Sequence, residues 1–464
     1  MGRSIIADES VQKYIEKLAK ENKWFIGVII GQLTSQRDYV VHLARTPDPV
    51  EDEVSEENGE EDGGDGVVNV RQKSVVERPA SLEELDEKWV STHAKQVSRM
   101  LPGGLSVVGL FAIAPPAMLK AAQTKLRQMM SSVYKQLSKT SLTSPAAEIT
   151  DRILLQMDTS TKKLTCVTVD IADFKSAPRP AEWKFQSGGS KWVRLNSNIN
   201  LDIPITVPQD SKAQSLLKQI QVGLADFGSW IQTSVVTVGG AVRAGSEPLV
   251  AQGEKKGKGK GSAASQDECT SFDVGIFLPF VTSEVPQDPV VGQSQATINM
   301  VGTSVVRAFV SARATVADAI EAVKTDVLRS IMARCELLCE EFDVAEVTQG
   351  RSEVYDPPVR LFCRLPHTAV QVCDYVFQDE KTEEVKGRIQ ELLDIQVEEL
   401  EEAEKSAADD DTWSQPSLPG VVSSQSQVAE LTEKKSSVRA YLGAAVGGAV
   451  AAIAAGISYI YLNE

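Results

Sequence analysis

Cys363 and His367 lie four residues apart and carry the two side-chain types that form a thiol nucleophile and its general base. Such a pair has to converge in space, and Pro366 interrupts the segment that joins them. We therefore interpret Cys363 as a buried strand residue and His367 as a surface imidazole. A thiol hydrolase that uses Cys363 or Cys373 is kept as an alternative function.

The other histidines and cysteines do not form a recognisable site. The chain has 3 histidines, no two of them close in sequence, too few for most histidine-based metal sites and triads. We expect His42 and His93 to be structural or solvent-facing. The 6 cysteines show no CxxC pair and no disulfide spacing, which is typical of a reduced, cytosolic environment.

The charge balance argues against nucleic-acid binding. Over 464 residues, 48 Lys and Arg stand against 64 Asp and Glu, a formal net charge of −16. A surface this acidic repels phosphate backbones, so we expect no nucleic-acid partner. Apolar residues make up 42% of the chain, near the globular average, and the length suits two or three domains.

Apolar periodicity in the first half of the chain predicts one mixed α/β domain over residues 1–238. Helices are predicted at 5–20, 81–100 and 116–139. Strands are predicted at 24–33, 39–43, 105–114, 152–158, 164–171 and around Trp183 and Trp192. Residues 48–70 hold a dense run of carboxylates with several glycines, which indicates a solvated, disordered loop.

Beyond residue 238 the composition changes several times. Residues 239–267 are rich in Gly and Lys and indicate a flexible linker, since no Gly-Lys there precedes Ser or Thr as a P-loop requires. Residues 268–380 predict a second, smaller α/β domain, built of strands and one long helix. An acidic helix is predicted at 381–405 and a disordered tether at 406–439.

Residues 440–462 contain no charge and are long enough, at roughly 35 Å as a helix, to cross a hydrocarbon core. Lys434, Lys435 and Arg439 come just before this segment, so the positive-inside rule keeps the bulk of the chain in the cytosol. The segment is therefore predicted to be a transmembrane tail anchor in a lipid bilayer. A buried core helix rich in Ala and Gly is the alternative.

Individual residues of the predicted anchor suit separate roles. Tyr441 lies near its start, and Tyr459 and Tyr461 precede its last residue, Leu462; tyrosines favour the two membrane interfaces. A stripe of small residues favours close contact with another membrane helix, and it includes Ala440, Gly443, Gly447, Gly448 and Gly456. No basic cluster follows the anchor, which favours the endoplasmic reticulum over the mitochondrial outer membrane, the alternative location.

Two apolar segments resemble the MPN (JAMM-type) fold of zinc-dependent deubiquitinases. Gly27–Gly31 looks like the early strand of that fold, and Gly109–Pro115 looks like the later strand that carries two zinc-binding histidines in the active family. In that family an aspartate completes the metal site, and an upstream glutamate acts as general base on the zinc-bound water.

When the functional residues of that family are matched one by one to this sequence, none of the matching positions here has the side chain that the reaction needs. The histidines correspond to Ala112 and Ala114, the following serine and aspartate to Ala122 and Lys125, and the glutamate to Trp24. Methyl groups, an indole and an ammonium neither bind Zn²⁺ nor shuttle a proton. The resemblance thus implies an α+β (mixed α/β) fold with a catalytically dead MPN-like domain. We call these five residues the vestigial positions.

Several further segments resemble the odorant response abnormal four family of membrane-anchored receptor-trafficking proteins. They occur in both predicted domains and in the anchor, at Gly31–Val40, Ala44–Pro47, Asp318–Lys324, Arg334–Glu336, Cys373–Tyr375 and Ala454–Ser458. Matches spread along the whole chain make coincidence an unsatisfactory explanation.

This second resemblance implies a non-enzymatic protein of the endoplasmic reticulum membrane without a cofactor or a metal. Members of that family assist the maturation or trafficking of G-protein-coupled receptors. They also recruit the cysteine protease that matures and removes the ubiquitin-fold modifier. Since active and inactive MPN-type domains often pair, the resemblance implies a heterodimer with that protease through the MPN-like domain.

Overall fold

The structure is a computed structural model that describes residues 3–404, except 22, 49, 58–67, 76–77, 140–141, 143–148, 174, 188–189, 209–214, 251–268, 279–293 and 345–355. Its first elements are β1 (Ser4–Asp8), α1 (Glu9–Leu18), β2 (Phe25–Gln32), β3 (Arg37–Arg45), β4 (Val50–Glu57), β5 (Val68–Val75), α2 (Glu87–Arg99), β6 (Ser106–Ala114), α3 (Pro116–Ala121), α4 (Gln123–Ser138), β7 (Asp151–Asp158), β8 (Leu164–Asp170), β9 (Arg179–Pro180) and β10 (Glu182–Gln186).

The remaining elements belong to two further sheets and their helices. The middle group is β11 (Trp192–Pro208), α5 (Leu216–Gly223), α6 (Ala225–Thr233), β12 (Val235–Val238), β13 (Thr270–Phe277), β14 (Ser294–Ser311) and α7 (Val316–Val344). The last group is β15 (Val359–Arg364), β16 (Gln371–Val376), α8 (Thr382–Leu393) and β17 (Glu401–Glu402).

The main sheet has eight strands in the order β10-β1-β3-β2-β6-β7-β8-β9. Its central strands β2 and β6 are apolar nearly throughout because both faces of the sheet are covered. Ile26, Val28 and Ile30 face the cluster that includes α2 and α4, whereas Phe25 and Ile29 face the cluster that includes α1. The mixed α/β fold is therefore observed, with helices on both faces of the sheet.

The N-terminal segment begins as a strand, whereas the sequence predicted a helix over the whole of 5–20. Residues Ser4–Asp8 form β1, which pairs in parallel with both β3 and β10, and the helix begins only at Glu9. Ile5 and Ala7 are fully buried two residues apart, the spacing of one strand face. The parallel partners lie far away in sequence, so local periodicity does not reveal the strand.

The acidic segment 48–70 is not a loop throughout. Val50–Glu57 forms β4 and pairs antiparallel with β5, in a register that places Asp52 opposite Lys73 and Val54 opposite Arg71. Composition alone does not show such a pairing between two segments. Residues 58–67 of the predicted loop lie outside the described residues.

The boundary predicted at residue 239 falls inside a sheet. The second sheet has the order β12-β13-β11-β14, so β11 and β12 pair with strands that follow the predicted linker. β11 pairs with β14 from Trp192↔Ser311 to Pro208↔Ser294, and helices α5, α6 and α7 contribute to the same core. Asn196, Asn198 and Asn200 alternate with apolar residues along β11, which is the pattern of a half-buried strand and a signal in the sequence for its length.

The acidic helix predicted at 381–405 is shorter in the structure. Helix α8 ends at Leu393, and Asp394 adopts a left-handed conformation with φ +52° that stops it. The chain then runs extended to β17, which joins β15 and β16 in a three-stranded sheet. We call residues 395–404 the strap, since this segment connects the helix to the three-stranded sheet.

The predicted tether and anchor lie beyond the part of the chain that the structure describes. This applies to residues 405–464, and so to 440–462 and the flanking Lys434, Lys435 and Arg439. Among the helices of the described residues, none has the length and apolar character needed to cross a membrane.

Candidate functional site

Four of the five vestigial positions lie together in one apolar cluster. Ala112 and Ala114 are on β6, and both are fully buried. Ala112 lies opposite Ile26 in the β2–β6 pairing, and Trp24 immediately precedes β2. Ala122 is also fully buried where α3 gives way to α4, and it belongs to the same cluster. The structure thus assembles these positions but fills the space with apolar side chains.

Trp24 is enclosed rather than directed at a reaction centre. The guanidinium of Arg78 lies over its ring, 4.0 Å from the centroid, and also donates to its backbone carbonyl. Arg78 forms a longer ion pair with Asp48 at 3.4 Å. The indole therefore contributes a cation–π contact and apolar packing.

Lys125 is the one vestigial position outside the apolar cluster. It lies on α4, and its Nζ is 3.0 Å from a carboxylate oxygen of Glu87 at the start of α2. This partly exposed ion pair links two helices that cover the same face of the main sheet. An ammonium repels a metal cation, so Lys125 does not replace the aspartate that the resemblance assigns to this position. Its contact with Glu87 is structural.

Within the described residues, no group of three or more His, Cys, Asp or Glu side chains has the geometry to hold a metal ion. The two thiols considered as nucleophiles are both buried. Cys363 on β15 is buried, and burial raises the pKa of its thiol to about 12. Cys373 on β16 is fully buried, and burial likewise raises its pKa. A raised pKa keeps a thiol protonated and unreactive at neutral pH.

His367 is exposed in the turn between β15 and β16 and has φ +62°, while Cys363 is buried in the strand. The predictions of a buried strand cysteine and a surface imidazole are confirmed.

The other two histidines bind the end of α8. His42 Nε2 lies 2.7 Å from the carbonyl oxygen of Leu393, and His93 Nε2 lies 2.9 Å from that of Leu392. A carbonyl only accepts, so both rings carry the proton on Nε2. Thr46 Oγ1, at 3.2 Å, then donates to Nδ1 of His93. Burial lowers the pKa of both imidazoles, which supports the neutral form.

Comparison with known proteins gives a consistent result along the whole chain. The family model described as ODR4-like, odorant response abnormal 4-like, matches residues 27–403. The chain is 34% identical to the protein odr-4 homolog of Mus musculus and 33% identical to that of Homo sapiens, each over 100% of both chains. It is 22% identical to the odorant response abnormal protein 4 of Caenorhabditis elegans, over 85% of this chain and 79% of that one.

Among solved structures, a crystal structure of UfSP from Caenorhabditis elegans is similar with a TM-score of 0.40 and 10% sequence identity. The similarity covers 85% of this chain and 57% of that one.

Proposed function

The chain belongs to the odorant response abnormal 4-like family, and from this premise we propose that it is a non-enzymatic, membrane-anchored adaptor. In this proposal it recruits and positions the ubiquitin-fold-modifier-specific cysteine protease at the endoplasmic reticulum. It also assists the maturation or trafficking of G-protein-coupled receptors, a role in keeping with a relative named for an abnormal odorant response. The MPN-like assignment of the main sheet is part of the same proposal.

The observation that carries the proposal is the complete burial of Ala112 and Ala114 in the apolar cluster that also contains Trp24. An enzyme would need reactive side chains and open space at these positions, whereas a binding module needs only the surfaces around them. Holding a soluble partner at a membrane raises its effective concentration there, which strengthens engagement without new contacts.

Exposed apolar residues indicate where a partner would contact the chain. Among the described residues, every large apolar side chain classed as exposed lies between 216 and 301: Leu216, Val222, Trp230, Val235, Val242, Phe277, Leu278 and Val301. Three of them are on α5 and α6, within the predicted domain 1–238, although these two helices contribute to the core of the second sheet. Exposed tryptophan is enriched where protein surfaces bind partners.

The proposal is tested by affinity capture of the tagged full-length chain from detergent-solubilised membranes. The expected result is co-purification of the protease with the wild-type chain, and weaker capture when Trp230→Glu adds a charge to α6. Ala121→Glu, at an exposed position of α3 outside this set, is the matched control. Failure of the wild-type chain to capture the protease would contradict the adaptor function.

Two alternatives have their own tests. A thiol hydrolase would turn over ubiquitin-like fusions as a purified full-length chain, and Cys363→Ser or Cys373→Ser would abolish that activity. An adaptor of the mitochondrial outer membrane would direct a reporter fused to residues 430–464 to mitochondria, whereas the proposed function requires a reticular pattern.

A further inference from the structure

The outer edge of β14, the side away from β11, is covered by other elements along only part of its length. In an antiparallel pair, every second residue of a strand directs its N–H group away from the partner strand. On β14 these are the odd-numbered residues. At the C-terminal end of the strand their N–H groups donate to other elements of this chain at 2.8–2.9 Å, from Ser311, Phe309, Arg307 and Val305.

The rest of this edge has no such cover. The next outward N–H groups along the strand belong to Thr303, Val301, Asn299 and Thr297. β14 is the last strand of its sheet, and no residue that the structure describes accepts from these N–H groups. The four side chains are exposed, whereas Ile298 and Met300 on the other face pack against the core of the second sheet. We call residues 297–303 the open edge.

The open edge differs from the other end strands of the two larger sheets. β10 carries the charges of Glu182 and Lys184, β9 has only 2 residues and includes Pro180, and β12 has only 4 residues. Charge, proline and short length all discourage an added strand. The open edge contains no charged residue and no proline, so nothing in its sequence prevents another strand from pairing with it.

The open edge is complementary to a second copy of itself. When two copies run antiparallel and cross at Met300, Thr297 lies opposite Thr303 of the second copy, and Asn299 lies opposite Val301. The residues of each such pair exchange two hydrogen bonds, so the four free N–H groups all find acceptors. The contact between Glu404 and Val305 stays in place. Opposed threonines are favourable cross-strand neighbours.

We propose that the chain forms a symmetric dimer in which the open edges of two copies pair as antiparallel strands. The second sheet then continues through both copies, with the two-fold axis at Met300. Pairing of identical edges is the closed, two-fold arrangement that is commonest among oligomers. The copies carry a net charge of −16 each, but the open edge itself adds no like-charge repulsion. This dimer is independent of the adaptor function, since it leaves Trp230 and the other exposed residues of α5 and α6 free.

The first test is a disulfide cross-link in the full-length chain, purified in detergent. Residues opposed in a hydrogen-bonded pair have Cα atoms about 5.5 Å apart, which a disulfide can span. Thr297→Cys and Thr303→Cys, co-expressed and mildly oxidised, should therefore give a covalent dimer. Each variant alone should give none, because the two copies of residue 297 lie roughly 20 Å apart in this register. The single variants also control for the native cysteines.

The second test is the mass in solution, measured by light scattering over a range of concentrations. The wild type should reach twice the 50.2 kDa of one chain. Val301→Lys places a charge at an exposed edge position in each copy, and it should raise the dissociation constant about tenfold or more. Asn198→Lys adds the same charge at an exposed position of β11, away from the edge, and should leave the dimer unchanged.

Three results would overturn the proposal. They are a monomeric wild type, no cross-link between residues 297 and 303, and dimerisation of Val301→Lys equal to that of the wild type. The last two are expected of a dimer that is held by the predicted anchor alone. A monomer would mean that the open edge is covered by another segment of the same chain or is left to solvent.

Discussion

The carboxylate of Asp326 on α7 accepts two hydrogen bonds from the guanidinium of Arg360 on β15, at 2.8 and 2.9 Å, with both side chains fully buried. The same carboxylate accepts from the backbone N–H of Gly103 and of Arg307, each at 2.8 Å. One side chain therefore joins α7, β14 and β15 to the turn that precedes β6. This contact is one of several between the two larger sheets, since Gly103 and Phe309 also form a backbone hydrogen bond.

Replacing Asp326 by Asn should destabilise the protein strongly. Asn keeps the shape but loses the charge, so Arg360 is left as a buried, unpaired cation, which costs about 3–5 kcal/mol. Urea unfolding of the purified full-length chain, followed by tryptophan fluorescence, measures the loss. Arg179→Gln breaks an exposed ion pair with Asp151 and should cost less than about 1 kcal/mol. Similar effects of the two variants would contradict the importance of the buried pair.

His93 should make the stability of the fold depend on pH. Burial lowers its pKa to about 4, below the ordinary value of 6.5. As the pH falls from 6.5 to 4, the unfolded chain takes up a proton that the folded chain refuses. Stability is therefore lost through this window, by an amount of the order of 3 kcal/mol, and is fully present above it.

The measurement for His93 is the free energy of unfolding at pH 7 and at pH 4.5. In His93→Gln the amide can still donate to Leu392 but does not titrate, so its loss of stability between the two pH values should be smaller than that of the wild type. His367→Asn changes an exposed imidazole at a left-handed position that Asn tolerates, and it should follow the wild type. If His93→Gln loses as much stability between the two pH values as the wild type, the buried imidazole is not the source of the pH dependence.

Local patterns identify those elements that have a regular apolar periodicity of their own. The apolar runs of β2 and β6, the β7–β8 hairpin and most of α7 follow from strand and helix periodicity. The four apolar vestigial positions belong to one apolar cluster, and two of them lie on β6, which pairs with β2. The hydrogen-bond partner of His93 could not be predicted, since Leu392 lies 299 residues away. No local signal marks such a contact.

Long-range burial explains the other differences. Asp326 and Arg360 look like surface charges in sequence, and only the packing of α7 on β15 makes them a buried pair. The end of α8 could be predicted from the sequence, since the run of helix-forming residues ends near Asp394, and aspartate can adopt the left-handed conformation.

Gly103 should not tolerate a side chain. A Cβ atom there would lie 1.9 Å from the Ala322 carbonyl oxygen and 2.8 Å from Asp326 Cβ, so α7 would have to move. We expect Gly103→Ala to cost at least about 2 kcal/mol in the free energy of unfolding. Gly387 on α8 has open space where its Cβ would be, and Gly387→Ala should stabilise by about 0.5–1 kcal/mol. Urea unfolding should therefore show that Gly→Ala lowers the free energy of unfolding at position 103 and raises it at position 387.

Restoring histidines at Ala112 and Ala114 should not create a zinc site. Both positions are fully buried, so two imidazoles must displace neighbouring apolar side chains, at a cost of several kcal/mol in stability. Elemental analysis of the purified double variant should find no stoichiometric zinc, and its unfolding midpoint should fall. Ala121→His, at an exposed position on α3, controls for an added imidazole. A folded double variant with one zinc per chain would show that the metal site survives beneath the substitutions.

Glu404 should hold the strap against the second sheet. Its carboxylate accepts from the backbone N–H of Val305 and of Arg360, each at 2.8 Å, and also pairs with the guanidinium of Arg334. Glu404→Gln leaves a single acceptor oxygen and removes the charge that faces Arg334, so the strap should open more often. Hydrogen exchange at the Val305 amide should then become at least about tenfold faster. Glu402→Gln, at an exposed position of β17, should leave that rate unchanged. If both variants exchange like the wild type, the Val305 amide is protected by something other than Glu404.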